Sequence, residues 1–169
     1  MGSTCAMKMN AFALIILLSV ISSPLFAQTC NNQINPSTPD DRFHENQNGT
    51  VTDNLTGLQW AHCSLGQIFE KGECRGEAHH LPWAIVSLVI EKGWRLPEIA
   101  ELNTLVELHC IKPAINVTIF PNTLPAAYWS ASRFINKDGD YWQVNFFHGE
   151  STSEPADTAA YVRLVRDGP

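Results

Sequence analysis

Histidines close to cysteines are the first residues in this chain whose types and spacing could do chemistry. His62 precedes Cys63, and a histidine beside a cysteine can activate the thiolate as a nucleophile. In an oxidising compartment, however, a disulfide is the more common role for such a cysteine. His79 and His80 are adjacent, so on a helix or strand their rings point in different directions and make a poor metal pair. We therefore predict neither a cysteine nucleophile nor a metal site.

Three glutamates near a predicted helix are candidates for acid–base catalysis. Glu98, Glu101 and Glu107 could act as proton donors and acceptors. Carboxylates are also favoured at the start of a helix, where they complement the helix dipole. We interpret all three as helix residues on a solvated face. The sequence thus predicts no catalytic residue and no cofactor.

Aromatic residues in the C-terminal part could stack on sugar rings. Trp129, Tyr141 and Trp142 have the large flat faces that such stacking needs. Their strand-like spacing favours the hydrophobic core instead, and we predict them there.

Two loops remain for contact with a partner, because the regular elements are committed to the core. They are residues 111–127 and 133–140. Phe134 and Ile135 are apolar residues in the otherwise polar second loop, which suits a contact patch. The alternative is that they cover the edge of the core.

The first 27 residues have the order of an export signal. Lys8 is followed by the apolar run 11–21, and Ala27 offers a small residue for cleavage. The run is shorter than the roughly 20 residues that a membrane-spanning helix needs. We expect the leader to be removed, which gives a periplasmic or secreted protein that is not attached to the membrane. A retained membrane anchor is the alternative.

Four cysteines remain after the leader, and an even number in an exported domain predicts two disulfides. Cys63 and Cys74 flank a glycine-containing loop directly after a predicted strand. Cys110 ends the second predicted helix, while Cys30 lies in an N-terminal arm. We predict the pairs Cys63–Cys74 and Cys30–Cys110. The alternative for Cys30 is a bond to another chain.

The charge balance excludes some classes of partner. The chain has 11 basic and 17 acidic residues, and loss of Lys8 with the leader leaves 10 against 17, a net charge of −7. That charge disfavours nucleic acid, anionic membranes and sulfated polysaccharides as partners. The ligand and the oligomeric state stay open.

The stretch 93–102 carries the strongest structural signal. Gly93 suits the left-handed position that closes a helix, and a proline suits the first turn of the next one. An arginine between two apolar residues is expected to be partly buried and to need either a carboxylate or several carbonyl groups as partners. The motif consists of Trp94, Arg95, Leu96, Pro97 and Glu101, with Trp94 expected in the core and Glu101 as the partner of Arg95.

The remaining pattern predicts an α+β fold with two central helices and a small antiparallel sheet. Residues 82–92 form an apolar helix that should be buried, and Pro97 begins the second helix. Short β-like runs precede the helices, and three more follow them: 128–132, 141–146 and 161–166. The domain division is a leader at 1–27, an N-terminal arm at 28–49 and one domain at 50–169.

Five runs of sequence resemble one family in the same order. They are Val51–Trp60, Trp94–Pro97 followed by Glu101-Leu102, Phe120–Thr123, Tyr128–Ser132 and Tyr161–Arg166. The chain resembles the Lcl C-terminal domain family, which is named for the end of a Legionella collagen-like adhesin. The resemblance implies an exported bacterial domain with a C-type-lectin-like fold. Lectin-type calcium motifs and collagen-like repeats have no counterpart in this sequence.

We hypothesise from these features that the protein is an exported, non-enzymatic binding or adhesion module. An unknown protein or a glycan on a cell surface is the expected ligand. The family namesake's binding of sulfated glycans is not carried over, because this chain is acidic. A structural envelope or appendage component is one alternative, and an enzyme with a site built from loops is another.

Overall fold

The fold is built mainly from short β-strands. A computed structural model describes residues 1–2 and 27–168, so nearly all of the predicted leader lies outside the described residues. None of the helices in the described part of the chain is long and apolar enough to cross a membrane. The strands are β1 (Thr29–Cys30), β2 (Phe43–Glu45), β3 (Thr50–Asp53), β4 (Leu58–Ala61), β5 (Ile68–Glu70), β6 (Glu73–Arg75), β7 (Leu81–Pro82), β8 (Cys110–Ile111), β9 (Ala127–Arg133), β10 (Asp140–Asn145), β11 (Glu150–Pro155), β12 (Ala159–Ala160) and β13 (Val165–Asp167). The helices are α1 (Trp83–Val89) and α2 (Ile99–Asn103), and Asp40–Arg42 forms a single 3₁₀ turn.

The predicted α+β fold with two central helices is wrong. The two α-helices have only seven and five residues, and the remaining regular structure is almost entirely β. Helix α1 ends at Val89 and not at Lys92, because Ile90 already adopts an extended conformation. Its β-branched residues lose side-chain freedom in a helix, and no side chain caps its N-terminus. The sequence correctly located both helical turns but overestimated their length and their share of the core.

The main sheet has the strand order β13-β4-β3-β2 and is antiparallel throughout. Val51, Trp60 and Val165 lie directly opposite one another on β3, β4 and β13, and all three are fully buried. This row of large side chains crosses the sheet and forms the centre of the larger core cluster. Cross-strand neighbours of this kind are the basic unit of sheet stabilisation.

The second sheet, β11-β10-β9, covers the other side of that core. Val144 faces Tyr128 across β10 and β9, and both are buried with Phe146, as the alternation along this strand predicts. The aromatic residues that could have stacked on sugars are mostly internal, since Trp129 and Tyr141 are buried. Trp142 is only half-buried, next to a bulge that shifts the register between Tyr141 and Gln143.

The N-terminal arm is tied to the body at two places. Strand β2 extends the main sheet by pairing with β3, and the bidentate ion pair of Arg42 with Asp53 braces this pairing at 2.5 and 2.8 Å. Strand β1 pairs with β8, where Cys30 lies opposite Cys110. The structure contains the predicted disulfides, Cys30–Cys110 and Cys63–Cys74.

The stretch 93–102 joins three parts of the fold. The backbone N–H and C=O of Arg95 both bond to Val165 of β13, at 2.9 and 3.0 Å, and the carbonyl of Pro97 accepts from Ala131 of β9. Arg95 makes the predicted bidentate pair with Glu101, at 2.7 and 2.8 Å. Gly93 has a φ of +91°, in a turn beyond the end of α1. Pro97 precedes the helix cap Glu98 and does not occupy the first helical position.

We expect Glu101→Gln to lower the free energy of unfolding by about 1–2 kcal/mol. The substitution removes a charge-assisted, half-buried pair and leaves the guanidinium of Arg95 with two longer contacts, to Asp167 at 3.2 Å and to the carbonyl of Leu96 at 3.3 Å. Urea denaturation at neutral pH measures the change. The matched control is Glu73→Gln, because the Glu73–Arg75 pair is exposed on both sides and should contribute less than about 0.5 kcal/mol. Equal effects of the two substitutions would contradict the assignment.

Candidate functional site

A groove of about 610 Å³ lies between the β5–β6 hairpin and the end of α1. We call it the hairpin groove. Its walls are Ile68 and Phe69 of the hairpin on one side and Val89 and Trp94 on the other. His62 and Ser64 lie at its floor. Ligand sites in proteins are typically concave, largely apolar and equipped with a few polar groups, and the groove has these properties.

The hairpin wall is held in place by covalent and local interactions. Lys71 and Gly72 both have positive φ angles, which is the geometry of a tight two-residue hairpin turn. The Cys63–Cys74 disulfide ties strand β6 to the end of the main sheet, and the N–H of Cys74 donates to Asn122 at 3.0 Å. The side chain of Ile68 is left 66% exposed on this wall.

The opposite wall includes the end of α1, and the prediction that helix 82–92 is buried is wrong. Val86 is the only residue of α1 that is fully buried, whereas Ile85, Leu88 and Val89 are exposed, Leu88 by 78%. Trp94, predicted in the core, is half-buried and packs under the guanidinium of Arg166, at 4.6 Å. Val86 packs on the core and Val89 borders the groove, whereas Ile85 and Leu88 are exposed and do not line it.

His62 forms part of the floor of the groove and is 1% exposed. Its ring stacks on Phe69 with centroids 3.6 Å apart, and neither ring nitrogen makes a well-aligned hydrogen bond within the described chain. Burial, together with the nearby positive charge of Arg163, lowers the pKa of His62 to about 4, and a backbone contact with Ile119 opposes this only in part. His62 is therefore neutral at pH 7.

Beneath the floor lies a buried polar cluster that sequence reasoning missed. Arg163 is fully buried and donates to the carbonyls of Ala61 and His62 and to the hydroxyl of Thr123, at 2.6–2.8 Å. Its guanidinium also lies over the ring of Phe120. Burial lowers the pKa of Arg163 to about 10, which still leaves the group charged at neutral pH.

The hydroxyl groups of Ser64 and Tyr128 extend this cluster, with their oxygens 2.9 Å apart. Burial raises the pKa of Tyr128, so the phenol stays protonated. The strand predicted over 161–166 does not indicate that Arg163 is buried, because an arginine within a strand usually faces solvent. The cluster supports the floor of the groove by satisfying backbone carbonyls that the chain turn after β4 leaves free.

The three glutamates that were considered for acid–base catalysis do not form one site. Glu101 is bound by Arg95, which lowers the pKa of its carboxyl group, and the N–H of Glu98 donates to it at 2.7 Å. The carboxylate of Glu98 accepts from the hydroxyl of Ser132 on β9. The prediction of a solvated face is wrong for Glu107, which is 2% exposed. It accepts four hydrogen bonds from the backbone and hydroxyl groups of Ser37 and Thr38.

Apart from His79, the other residues singled out from the sequence lie away from the groove. Phe134 is half-buried and packs edge-to-face on Trp142 at 5.0 Å, whereas Ile135 is 91% exposed. Loop 111–127 is held to the body by Ile115, Ile119 and Phe120, all of which are buried as predicted. His79 and His80 are exposed, and His79 borders the groove.

Comparison with protein families gives a match that covers most of the chain. The model of the Lcl C-terminal domain family matches residues 49–166, which covers both walls and the floor of the hairpin groove. No curated protein matches the chain.

Acidification should destabilise the protein through His62. The pKa of this histidine is about 4 in the folded state against about 6.5 when unfolded, so the unfolded chain binds the proton more readily. The stabilising effect is complete above pH 6.5 and is lost as the pH falls towards 4, by about 3 kcal/mol in total. Thermal melts between pH 7 and 4 should show this loss, and His62→Phe should flatten it while keeping the stack on Phe69.

The control is the exposed His148, whose replacement by Phe should leave the pH dependence unchanged. Carboxylates with lowered pKa values, such as Glu101 and Asp53, start to lose their contribution only at the acid end of this range, as the pH approaches their ordinary values of 4.5 and 3.8, and they do so equally in the parent and in His62→Phe. A His62→Phe protein that melts with the same pH dependence as the parent would contradict the assignment.

Proposed function

The chain belongs to the Lcl C-terminal domain family, and we propose that it is an exported, non-enzymatic binding module whose ligand occupies the hairpin groove. The observation that carries this proposal is the pair of exposed apolar side chains, Ile68 and Val89, on opposite walls of one groove. Exposed apolar surface costs free energy in water, and a ligand that covers it recovers that cost.

The polar groups at the rim favour an uncharged ligand rich in hydroxyl groups, such as a neutral glycan on a cell surface. Gln47, Asn48 and Gln67 border the groove with amide groups, which both donate and accept hydrogen bonds. Glu91 is the only acidic residue among the described groove residues, and none of them is a lysine or arginine. Sulfated glycans and other polyanions would meet no complementary charge there.

A binding role also fits the state of the groups that could have supported catalysis. Glu101 and Glu107 are held by strong hydrogen bonds that stabilise their charged forms, so neither is poised to exchange protons near neutral pH. Cys30, Cys63, Cys74 and Cys110 are joined in disulfides, so none is a free nucleophile. His62 is buried and stacked on Phe69, and its ring nitrogens face protein.

The cysteine chemistry supports an exported location. Two disulfides are typical of an oxidising environment such as that reached by exported proteins. A leader over residues 1–27 would deliver the domain to the periplasm or the outside, where it would act without membrane attachment. The neutral groove would then face glycans or proteins of a cell surface.

The test replaces one groove isoleucine and one isoleucine elsewhere. Ile68→Glu places a charge on the groove wall, whereas Ile135→Glu makes the same change in loop 133–140. Both side chains are exposed, so neither change should lower thermal stability appreciably. On an array of neutral and sulfated glycans and on intact cells, we expect the parent to bind neutral glycans, and Ile68→Glu to lose about tenfold or more in affinity.

Equal losses from both substitutions, or a loss from Ile135→Glu alone, would move the contact surface to the loop patch that includes Phe134. Binding that is confined to sulfated glycans would contradict the neutral-ligand proposal. A protein that binds no glycan and no cell surface, but assembles with itself into an ordered polymer, would favour a structural envelope component.

A further inference from the structure

We propose that the Cys30–Cys110 disulfide is a thiol-exchange site, at which an external thiolate bonds to Cys30 and His109 stabilises the departing Cys110 thiolate. The two sulfurs differ in their surroundings. Cys30 is exposed on the short edge strand β1, whereas Cys110 is 4% exposed on β8. An incoming thiolate therefore has access to the sulfur of Cys30, and Cys110 becomes the leaving group.

His109 is placed to assist that departure. Its Nε2 atom lies 3.3 Å from the Sγ atom of Cys110. A protonated imidazole at this distance can donate a hydrogen bond to the thiolate and offset its charge. Thiolates next to a positive group are weaker bases and better leaving groups.

Glu107 provides the opposite charge on the other side of the ring. Its Oε1 atom lies 2.6 Å from Nδ1 of His109, a close contact on the side of the ring opposite to the sulfur. Burial alone would raise the pKa of Glu107, but the contact with His109 and the hydrogen bonds from Thr38 and Ser37 lower it well below its usual range. The carboxylate is thus a fixed negative charge that anchors the ring beside the sulfur.

The second disulfide also has a histidine next to a cysteine in sequence, but its surroundings differ from those of Cys30–Cys110. His62 precedes Cys63 just as His109 precedes Cys110, yet the ring of His62 stacks on Phe69. Both Cys63 and Cys74 are 6% exposed, so neither sulfur offers the open face that Cys30 has. The chain therefore contains its own control for the proposal.

A cavity of about 560 Å³ beside Cys30 has room for the attacking group. Asp40 and Asp41 line it, and the chain is acidic as a whole. A thiol carrying a positive charge, or a basic segment of a thiol protein, suits this surface better than an anionic thiol.

The exchange step is balanced without any further reactant. The external thiolate forms a bond to Sγ of Cys30 as the bond between Cys30 and Cys110 breaks, and the electron pair of that bond stays on Sγ of Cys110. The resulting thiolate lies beside Nε2 of His109, which can donate a hydrogen bond to it. The products are a mixed disulfide at Cys30 and one free thiolate at Cys110.

Cysteamine is the probe, because it is a small cationic monothiol that traps the mixed disulfide. The native, oxidised protein is treated at neutral pH with limiting cysteamine, quenched with acid, alkylated and mapped by peptide mass spectrometry. We expect the adduct on Cys30 and the alkyl group on Cys110, formed at least about tenfold faster than any adduct on Cys63 or Cys74. His109→Gln should slow this reaction by about tenfold, through the higher basicity of the leaving thiolate.

The histidine substitution separates an electrostatic role from a structural one. If His109 only held strand β1 in place, His109→Gln would loosen the arm and speed up the exchange, and that result would overturn the proposal. An unchanged rate, a main adduct on Cys110 or equal rates at both disulfides would overturn it as well. His80→Gln is the matched control, because His80 is exposed and outside the cavity beside Cys30, and its rate should equal that of the parent. These outcomes are independent of whether the hairpin groove binds a glycan.

Discussion

The backbone bridge between Arg95 and Val165 is the contact on which the rest of the structure depends. Two hydrogen bonds join the segment after α1 to the edge strand β13, and β13 in turn pairs with β4 at the centre of the main sheet. The same arginine holds the start of α2 through Glu101. The backbone of Arg95 thus pairs with the edge strand β13, and its side chain holds the start of α2. An unpaired backbone group at this buried junction would cost free energy that a domain of this size can hardly spare.

The hairpin groove is a consequence of this bridge. With Arg95 fixed on β13, the neighbouring Trp94 packs under Arg166 at the edge of the main sheet and forms one wall. The other wall depends on the Cys63–Cys74 disulfide, which holds the β5–β6 hairpin apart from α1. Neither wall closes over the groove, because each is tied to a different part of the main sheet. The apolar residues between them stay accessible for this reason.

Two buried charged residues, Arg163 and Glu107, also stabilise the fold. Among the described residues, buried Arg163 is not paired with an Asp or Glu, and buried Glu107 is not paired with a Lys or Arg. Each is stabilised instead by several hydrogen bonds to neutral groups, and Glu107 also by its contact with His109. Arg163 collects carbonyl oxygens, and Glu107 collects N–H and O–H donors from the N-terminal arm. Loss of these hydrogen-bond partners would leave an unsolvated charge, so each residue holds distant segments of the chain together. They connect regions that short strands alone would hold weakly.

Much of the local structure could be predicted from the sequence. The tight turns, the two cysteine pairs, the Arg95–Glu101 pair and the family motifs all depend on residue types at short separations or on strong pairwise chemistry. Gly93 adopts the left-handed conformation that its position predicts. Such features can be predicted from the sequence because each requires a particular residue, whatever packs around it.

The tertiary structure decided helix length, burial and the site. An apolar segment such as 82–92 predicts contact with something apolar, but only the assembled fold shows that one face of α1 meets the core and another borders a groove. The burial of Arg163 and Glu107 likewise depends on partners more than 30 residues away, including Thr123 and Thr38. The hydrophobic pattern of a sequence depends only on the polarity of its residues, whereas the burial of a residue depends on which distant segments cover it. That physical difference is why the sequence determined the family and its motifs by itself, and only the folded chain determined the groove.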